Sequence, residues 1–306
     1  MRLSSGLACG IIGRDLDRVF QEYVAAPETH RYLHRHRPSL PGALGTLMAR
    51  SDSPLFVKSV EKAFSVLRAF TRESQSLTQV EIAARADLDK SSAQRFVHTL
   101  HALGYLTKDA SGRAYALSPR LLEFGFSYLD MDPMIAGTQQ QLKDLHDQTG
   151  ETINLAKLDG TDIILVARWP SKRIVSVNIR VGARLPAIYM ASGRVMISHL
   201  PPSERRSFIE RSEIAQHTAQ SLVDRDALET ELDRVRSQGY CVTRSQYFQG
   251  DLSIAAPIVD ARGAVVASAS VNTVELNGPD KEREAALVEA MLAAARACSD
   301  NLRNFG

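Results

Sequence analysis

The sequence predicts an α+β chain of two folded units, and three observations carry that expectation. Its 306 residues exceed one ordinary domain. Residues 54–118 hold short helical patterns split by a tight turn and followed by a hairpin signal. Beyond residue 150, strand pairs around Gly-containing turns alternate with helical segments, the pattern of an antiparallel sheet with helices packed on it. The hydrophobic and charged fractions, 44% and 24%, are those of an ordinary globular protein. Apolar runs such as Ile163 to Ala167 are strand-sized, so no membrane span is expected. Cys9, Cys241 and Cys298 are scattered and odd in number, which excludes a closed disulfide framework and fits a reducing cytoplasm.

Residues 1–53 differ from the rest. Leu16, Val19, Phe20, Tyr23 and Val24 fit one short amphipathic helix, after which Thr29 to Arg37 is crowded with His and Arg. Pro38, Pro41, Gly42 and Gly45 break regular structure. The segment is expected to be a disordered extension or a mis-assigned start, with Met48 the alternative first residue. A metal site on His30, His34 and His36 is the competing reading, although no acidic or sulfur ligand stands among them.

From Phe56 onward the elements follow in order. Val57, Val60, Phe64, Leu67 and Phe70 recur at helical spacing and predict a first helix with one buried face. Thr78 and Glu81, three apart before Ile82 and Ala83, form a capping-box pattern that starts a second helix. Asp87-Leu88-Asp89 predicts a tight turn, with Asp89 the cap of a third helix from Lys90 to about Leu103. Ala93, Phe96, Val97, Leu100 and Leu103 mark its inner face. Lys90, Ser91, Ser92, Gln94, Arg95 and His98 mark the outer one. Tyr105 to Lys108 and Arg113 to Leu117 flank Asp109-Ala110-Ser111-Gly112, a hairpin with Lys108 and Arg113 near its tip. Helix, turn, helix and basic hairpin in this order describe a winged helix-turn-helix over 54–118.

Ser118-Pro119 and Asp132-Pro133 each start a helix, the first a linker over 119–131. Within 132–306, Thr152 to Leu158 and Ile163 to Arg168 surround Asp159-Gly160, a hairpin signal, and Ile174 to Val181 reads as a third strand. Ser192 to His199 and Arg225 to Gln238 read as helices. Ile254 to Val259 and Ala264 to Asn272 form a second hairpin, and an alanine-rich helix from about Pro279 to Arg303 closes the chain.

Net charge is only +2, but residues 54–118 carry nine Lys/Arg against six acids. That local excess permits phosphate contact without proving it. A helix fits the major groove of DNA, and the outer face of the third helix is the candidate reader. Arg95 suits guanine or a phosphate and Gln94 suits adenine. Lys90, Ser91 and Ser92 sit at the positive helix end that favours phosphates. The bland alternative is that these are ordinary solvated polar residues.

The chain resembles the IclR family of bacterial transcription factors over about residues 56–272. Three segments carry the likeness. Phe56-Val57-Lys58-Ser59 leads to Lys90-Ser91-Ser92-Ala93-Gln94-Arg95. Val181-Gly182-Ala183-Arg184-Leu185-Pro186 leads to Ala191-Ser192-Gly193-Arg194, and Ser253-Ile254-Ala255-Ala256-Pro257-Ile258 comes last. Arg173 to Ala187 looks closest to the branch that controls protocatechuate and 4-hydroxybenzoate breakdown in the β-ketoadipate pathway. Ile188-Tyr189-Met190 and Asp251-Leu252 depart from the usual pattern at positions near the ligand.

The resemblance implies a GAF-like α/β effector domain, with a pocket for a small carboxylic acid on one face of its sheet. Ala191, Ser192 and Gly193 precede a helix, so their backbone N–H groups suit a carboxylate. Family correspondence implies Ser253, Ser270 and Asn272 on the pocket wall, Arg244 or Ser245 across its mouth, and Tyr189 with Met190 against the ring. Small residues under a helix would explain Ser253 and Ser270 equally well; Arg180 and Arg184 are further candidates to bind the acid, which solvated strand ends explain as well. The implied partners are a pseudo-palindromic double-stranded DNA operator, the acid, a second copy in a homodimer or tetramer, and RNA polymerase. No cofactor, metal or catalytic residue is expected. No Gly-x-Ser-x-Gly, phosphate loop, His-Glu-x-x-His or Cys-x-x-Cys is present, and Cys241 is the nearest approach to a nucleophile. The rival readings are a second domain that only assembles subunits, and an enzyme.

Overall fold

The structure, a computed structural model, describes residues 53–172, 179–275 and 278–305, which fall into units 53–132 and 133–305. The helix expected near Leu16, the histidine cluster and Met48 lie outside the described residues.

The first unit begins with α1 (Lys58–Arg68), β1 (Leu77–Thr78), α2 (Gln79–Arg85) and α3 (Lys90–Ala102). It continues with β2 (Leu106–Lys108), β3 (Ala114–Leu117), a 3-10 turn (Pro119–Leu121) and α4 (Leu122–Met131). The capping box forms: the Thr78 N–H donates to Glu81 Oε2 at 2.7 Å, and the Glu81 N–H donates to Thr78 Oγ1 at 3.4 Å. Asp89 Oδ1 accepts from the Ser92 N–H at 2.8 Å, so α3 starts where the sequence predicts. Between the helices Asp87 takes a left-handed φ of 54°, a conformation that Asp tolerates better than most side chains. Val66, Leu77, Ile82, Val97, Leu100 and Leu106 make the core. Strands run in the order β1-β3-β2, all antiparallel; the two-residue β1 is too short to leave a periodic signal.

The apolar row on α1 needs correction. Val57, Val60 and Phe64 are exposed, while Val66, Ala69 and Phe70 enter the core. Successive helical residues turn by about 100°, so within α1 the exposed Val60 and Phe64 lie on a different face from the buried Val66, while Ala69 and Phe70 follow the helix end. Leu103, expected on the inner face of α3, is also exposed.

The second unit is built on a six-stranded antiparallel sheet of order β6-β5-β4-β9-β8-β7. Its elements begin with α5 (Pro133–Thr149), β4 (Thr152–Asp159), β5 (Asp162–Trp169), β6 (Arg184–Pro186) and a 3-10 turn (Ala187–Tyr189). They continue with α6 (Ala191–Ser198), α7 (Pro202–Arg211), α8 (Arg225–Gln238), β7 (Cys241–Arg244), β8 (Asp251–Val259), β9 (Val265–Val274) and α9 (Lys281–Phe305). Asp224 caps α8, and Gly239 ends it at φ 80°. Helices α5 and α9 pack on one face of the sheet and α6 on the other. Of the expected strand Ile174 to Val181, residues 174–178 lie outside the described residues and 179–181 form no strand. The edge strand is instead Arg184–Pro186, paired with β5.

Candidate functional site

The outer face of α3 is polar because its apolar residues are used by the core. Ala93, Val97 and Leu100 are buried, which leaves Lys90, Ser91, Gln94, Arg95 and His98 exposed and Ser92 half-exposed. Arg120, beyond the hairpin, donates from Nη1 to the Leu103 carbonyl at 2.9 Å and stacks on Tyr105, holding the C-terminal end of α3. The hairpin tip is fixed by Asp109, which accepts from Ser111 Oγ and from the Arg113 and Ala114 N–H groups. Lys108 lies over the Tyr115 ring, 5.5 Å from its centroid, and both Lys108 and Arg113 are exposed. The unit thus presents a helix end and a basic hairpin of the kind that bind phosphates and groove edges.

In the second unit, strand register decides which predicted residues meet. Cys241 pairs with Ala255, Thr243 with Ser253, Ser253 with Asn272, and Ser270 with Asn154. Side chains directly opposite one another share a face, so all of these lie on one side of the sheet. That side carries α6, since Ala191 and Val195 pack with Cys241 and Ala255. Ser253, Ser270 and Asn272 form one network. Asn272 Nδ2 donates to Ser253 Oγ at 2.7 Å, and Asn272 Oδ1 accepts from Ser270 Oγ at 2.9 Å and from Asn154 Nδ2 at 2.7 Å. Asn154 Oδ1 in turn accepts from Arg168 at 2.8 Å. Neither Asn154 nor Arg168 was singled out from sequence. The available signal was a polar Thr152-x-Asn154 alternation at the start of an apolar strand.

Helix α6 is seated very closely. Gly193 lies so near the preceding turn that a Cβ would stand 2.0 Å from the Ala187 carbonyl oxygen. Arg194 is buried; its Nε donates to the Ile188 carbonyl at 2.6 Å and an Nη to Gln246 Oε1 at 2.7 Å. Its N-cap, Met190, supplies no side-chain hydrogen bond, so the first N–H groups of α6, at Ala191, Ser192 and Gly193, gain none from the cap. Asp251 sits on the same sheet face by register. Burial pushes its carboxyl up to about 7, Arg168 pulls it down and Glu275 pushes it up.

One expected residue is placed elsewhere. Arg244 pairs with Leu252, hence on the opposite, α9-bearing face, where it bonds Glu275 at 2.6 Å and Glu284 at 2.5 Å. The expectation that it spans the pocket mouth is therefore corrected: strand alternation turns it away. Tyr189 is buried in the core. Its hydroxyl donates to the Ala215 carbonyl and accepts from the Ala215 N–H, each at 2.7 Å, and its ring packs on His217 and Tyr247. Arg184 is held by Asp159 and Asp162 at the β4–β5 turn, and Arg180 is exposed. Cys241 is fully buried and its thiol is pushed up to about 12, which opposes thiolate formation. Among the described residues no group of His, Cys, Asp and Glu could hold a metal, and no helix is long and apolar enough to cross a membrane.

Comparison with known proteins agrees with this arrangement. The IclR helix-turn-helix domain matches residues 59–110, and the bacterial transcriptional regulator IclR C-terminal domain matches residues 126–300. The chain is 34% identical to the Pca regulon regulatory protein of Pseudomonas putida over 82% of this chain and 86% of that one. It is 27% identical to the p-hydroxybenzoate hydroxylase transcriptional activator of Acinetobacter baylyi over 82% of this chain and 92% of that one. Among solved structures, an IclR homologue from Microbacterium hydrocarbonoxydans complexed with 4-hydroxybenzoate superposes with a TM-score of 0.68 at 23% identity. It covers 80% of this chain and 99% of that one. A DNA-binding unit with a polar recognition helix, a sheet unit matched to the C-terminal regulatory domain and these likenesses place the chain in one group: it belongs to the IclR family of bacterial DNA-binding transcriptional regulators.

Proposed function

We propose that this regulator binds a pseudo-palindromic operator as a homodimer or tetramer in the cytoplasm. A small carboxylic acid of aromatic catabolism, held on the α6-bearing face of the sheet, then alters operator binding or promoter activity. The observation that carries the effector site is the polar network of the buried Ser253 and Ser270 with the half-buried Asn272, beside the start of α6. Ala191, Ser192 and Gly193 offer N–H groups to the carboxylate there. The relatives that control Pca and p-hydroxybenzoate genes support the class of acid.

Lys90, Ser91, Ser92, Gln94, Arg95 and His98 face the major groove in this reading, while Lys108 and Arg113 reach the adjacent backbone. Self-association is supported by apolar side chains left exposed on α1 and α4: Val57, Val60 and Phe64, then Leu122, Phe124, Phe126 and Met131. Helix α4, within 119–131, is the lever between the DNA-binding region 54–118 and the effector region 132–306. RNA polymerase is the further partner, and the protein acts by binding rather than catalysis.

The mutual bonding of Ser253, Asn272 and Ser270 also suits a second domain that only assembles subunits. Thermal melting with protocatechuate, 4-hydroxybenzoate, β-ketoadipate and simple aliphatic acids separates the two. A ligand at 100 times its Kd adds roughly 2.7 kcal/mol to the folded state. A saturable rise with one acid, lost in Ser192→Tyr, is the expected result; no rise with any acid leaves assembly as the role.

A further inference from the structure

Helix α3 ends on two bonds of its own backbone. The Gly104 N–H donates to the His101 carbonyl at 2.9 Å and the Tyr105 N–H to the Leu100 carbonyl at 2.8 Å, with Gly104 at a left-handed φ of 82°. The Leu103 carbonyl takes no part in these bonds, and Arg120 Nη1 supplies its donor at 2.9 Å. A guanidinium there also suits the negative end of the helix. Arg120 belongs to the 3-10 turn Pro119–Leu121, which runs into α4 without a break, since Leu121 keeps right-handed helical backbone. Three more contacts converge on Tyr105. The Ser118 N–H donates to its carbonyl at 2.9 Å, the Arg120 guanidinium lies 5.7 Å from its ring centroid, and the Phe124 ring lies 5.7 Å away at a tilt of 38°. An exposed Arg120–Glu123 pair at 3.8 Å adds little. The first turns of α4 are thus tied to the three residues that follow α3. No residue of α4 is buried, so no core packing fixes its direction in place of these contacts.

We propose that Arg120 is a positioning residue for operator recognition: by fastening α4 to the end of α3, it sets the spacing of the two half-sites that a pair of chains joined through α4 can read. The inference rests on reading the protein as a homodimer on a pseudo-palindromic operator, with the exposed apolar residues of α4 in the contact between copies. A recognition helix shows its N-terminal residues to the bases, while the copies meet at α4. The angle between α3 and α4 in each chain therefore becomes the distance between the two reading ends. Each base pair added between half-sites moves them about 3.4 Å apart and turns them by about 35°, a strain that a rigid joint between the helices passes to the DNA and a loose one absorbs.

The test uses the full chain and a duplex that it selects from a random-sequence library, remade with one base pair added to or removed from its centre. In competition anisotropy the wild-type protein should prefer the selected spacing by at least about tenfold. Arg120→Met keeps the length of the side chain and loses its donors. It should narrow that preference to about threefold or less, while binding a duplex with a single half-site as tightly as the wild type does. Arg120→Lys, which can still donate to the Leu103 carbonyl, should recover part of the preference. Neither a role in folding alone nor a phosphate contact by Arg120 produces a change confined to spacing. A wild-type spacing preference in Arg120→Met overturns the proposal. An equal loss on the single half-site also overturns it, because the effect then lies in α3 itself. If the wild-type protein sediments as a monomer or ignores spacing, the dimeric reading falls and this proposal with it.

Discussion

Gly193→Ala isolates how tightly α6 is seated. In a helix interior this substitution ordinarily stabilises, because alanine restricts the unfolded chain and has the better helix propensity, by about 0.5–1 kcal/mol. Here the added Cβ would stand 2.0 Å from the Ala187 oxygen and 2.5 Å from the Ala187 carbonyl carbon and Cα. These are backbone atoms of the turn that also carries the buried Ile188 and Tyr189, so no flexible side-chain end can move aside. Overpacking of this kind costs about 1–3 kcal/mol, and a backbone neighbour puts the cost at the upper end. For a unit of this size about 3 kcal/mol lowers the melting temperature by roughly 6–12 °C. Differential scanning calorimetry of the full chain reads this directly, with Gly125→Ala as the control, since nothing lies within 4 Å of a Cβ at that helical position. Gly125→Ala should melt at or slightly above the wild-type temperature and Gly193→Ala well below it. A Gly193→Ala protein that melts at the wild-type temperature or higher would refute the argument that this glycine exists for close approach.

Three further outcomes are expected. Arg95→Ala should cost about 1–3 kcal/mol on the preferred operator and relax its sequence preference, whereas Lys108→Ala should weaken all sequences alike and reduce the salt slope by about one. Fluorescence anisotropy over a salt series distinguishes them, and identical behaviour of the two variants would sink their separate roles. Thr78→Ala should destabilise the first unit by about 1 kcal/mol, because the Glu81 N–H at the start of α2 loses its Thr78 Oγ1 acceptor; an unchanged melt of that unit contradicts the cap. For Asp251 the sign follows from a folded-state carboxyl raised from 3.8 to about 7 by burial, against the pull of Arg168 and with the push of Glu275. The folded protein then holds a proton that the unfolded chain has released, so stability falls as pH rises from about 4 to about 7. Asp251→Asn should flatten that fall, and an unchanged slope in pH-dependent melting would reject the assignment.

How far the sequence went depends on the range of the interaction concerned. The start of α2 at Thr78, the start of α3 at Asp89 and the end of α8 at Gly239 are set by side chains within three or four residues of the backbone they cap, and each was legible. So was the polar outer face of α3, because helical period and polarity coincide over thirteen residues. The two-residue β1 and the three-residue β6 were not, since neither is long enough to show a period. The apolar stripe of α1 was read as one face, and only packing separated its core residues from its exposed ones.

The effector face shows the same division. Family motifs identified Ser253, Ser270 and Asn272 as residues that matter, but nothing local says that β9 lies between β4 and β8. That strand order brings Asn154 and Asn272 into one bonded network across 118 positions of chain. Arg244 failed for the reciprocal reason. A strand turns each successive side chain to the other face, so one position along β7 decides between the α6 face and the ion pairs with Glu275 and Glu284. Sequence by itself determined the helix starts and stops, the hairpins and the reading face, because those rest on bonds between near neighbours. Which face each strand residue joins, which groups it meets there and the direction of their hydrogen bonds were decided only by tertiary structure, because register is fixed by strands far apart in the chain.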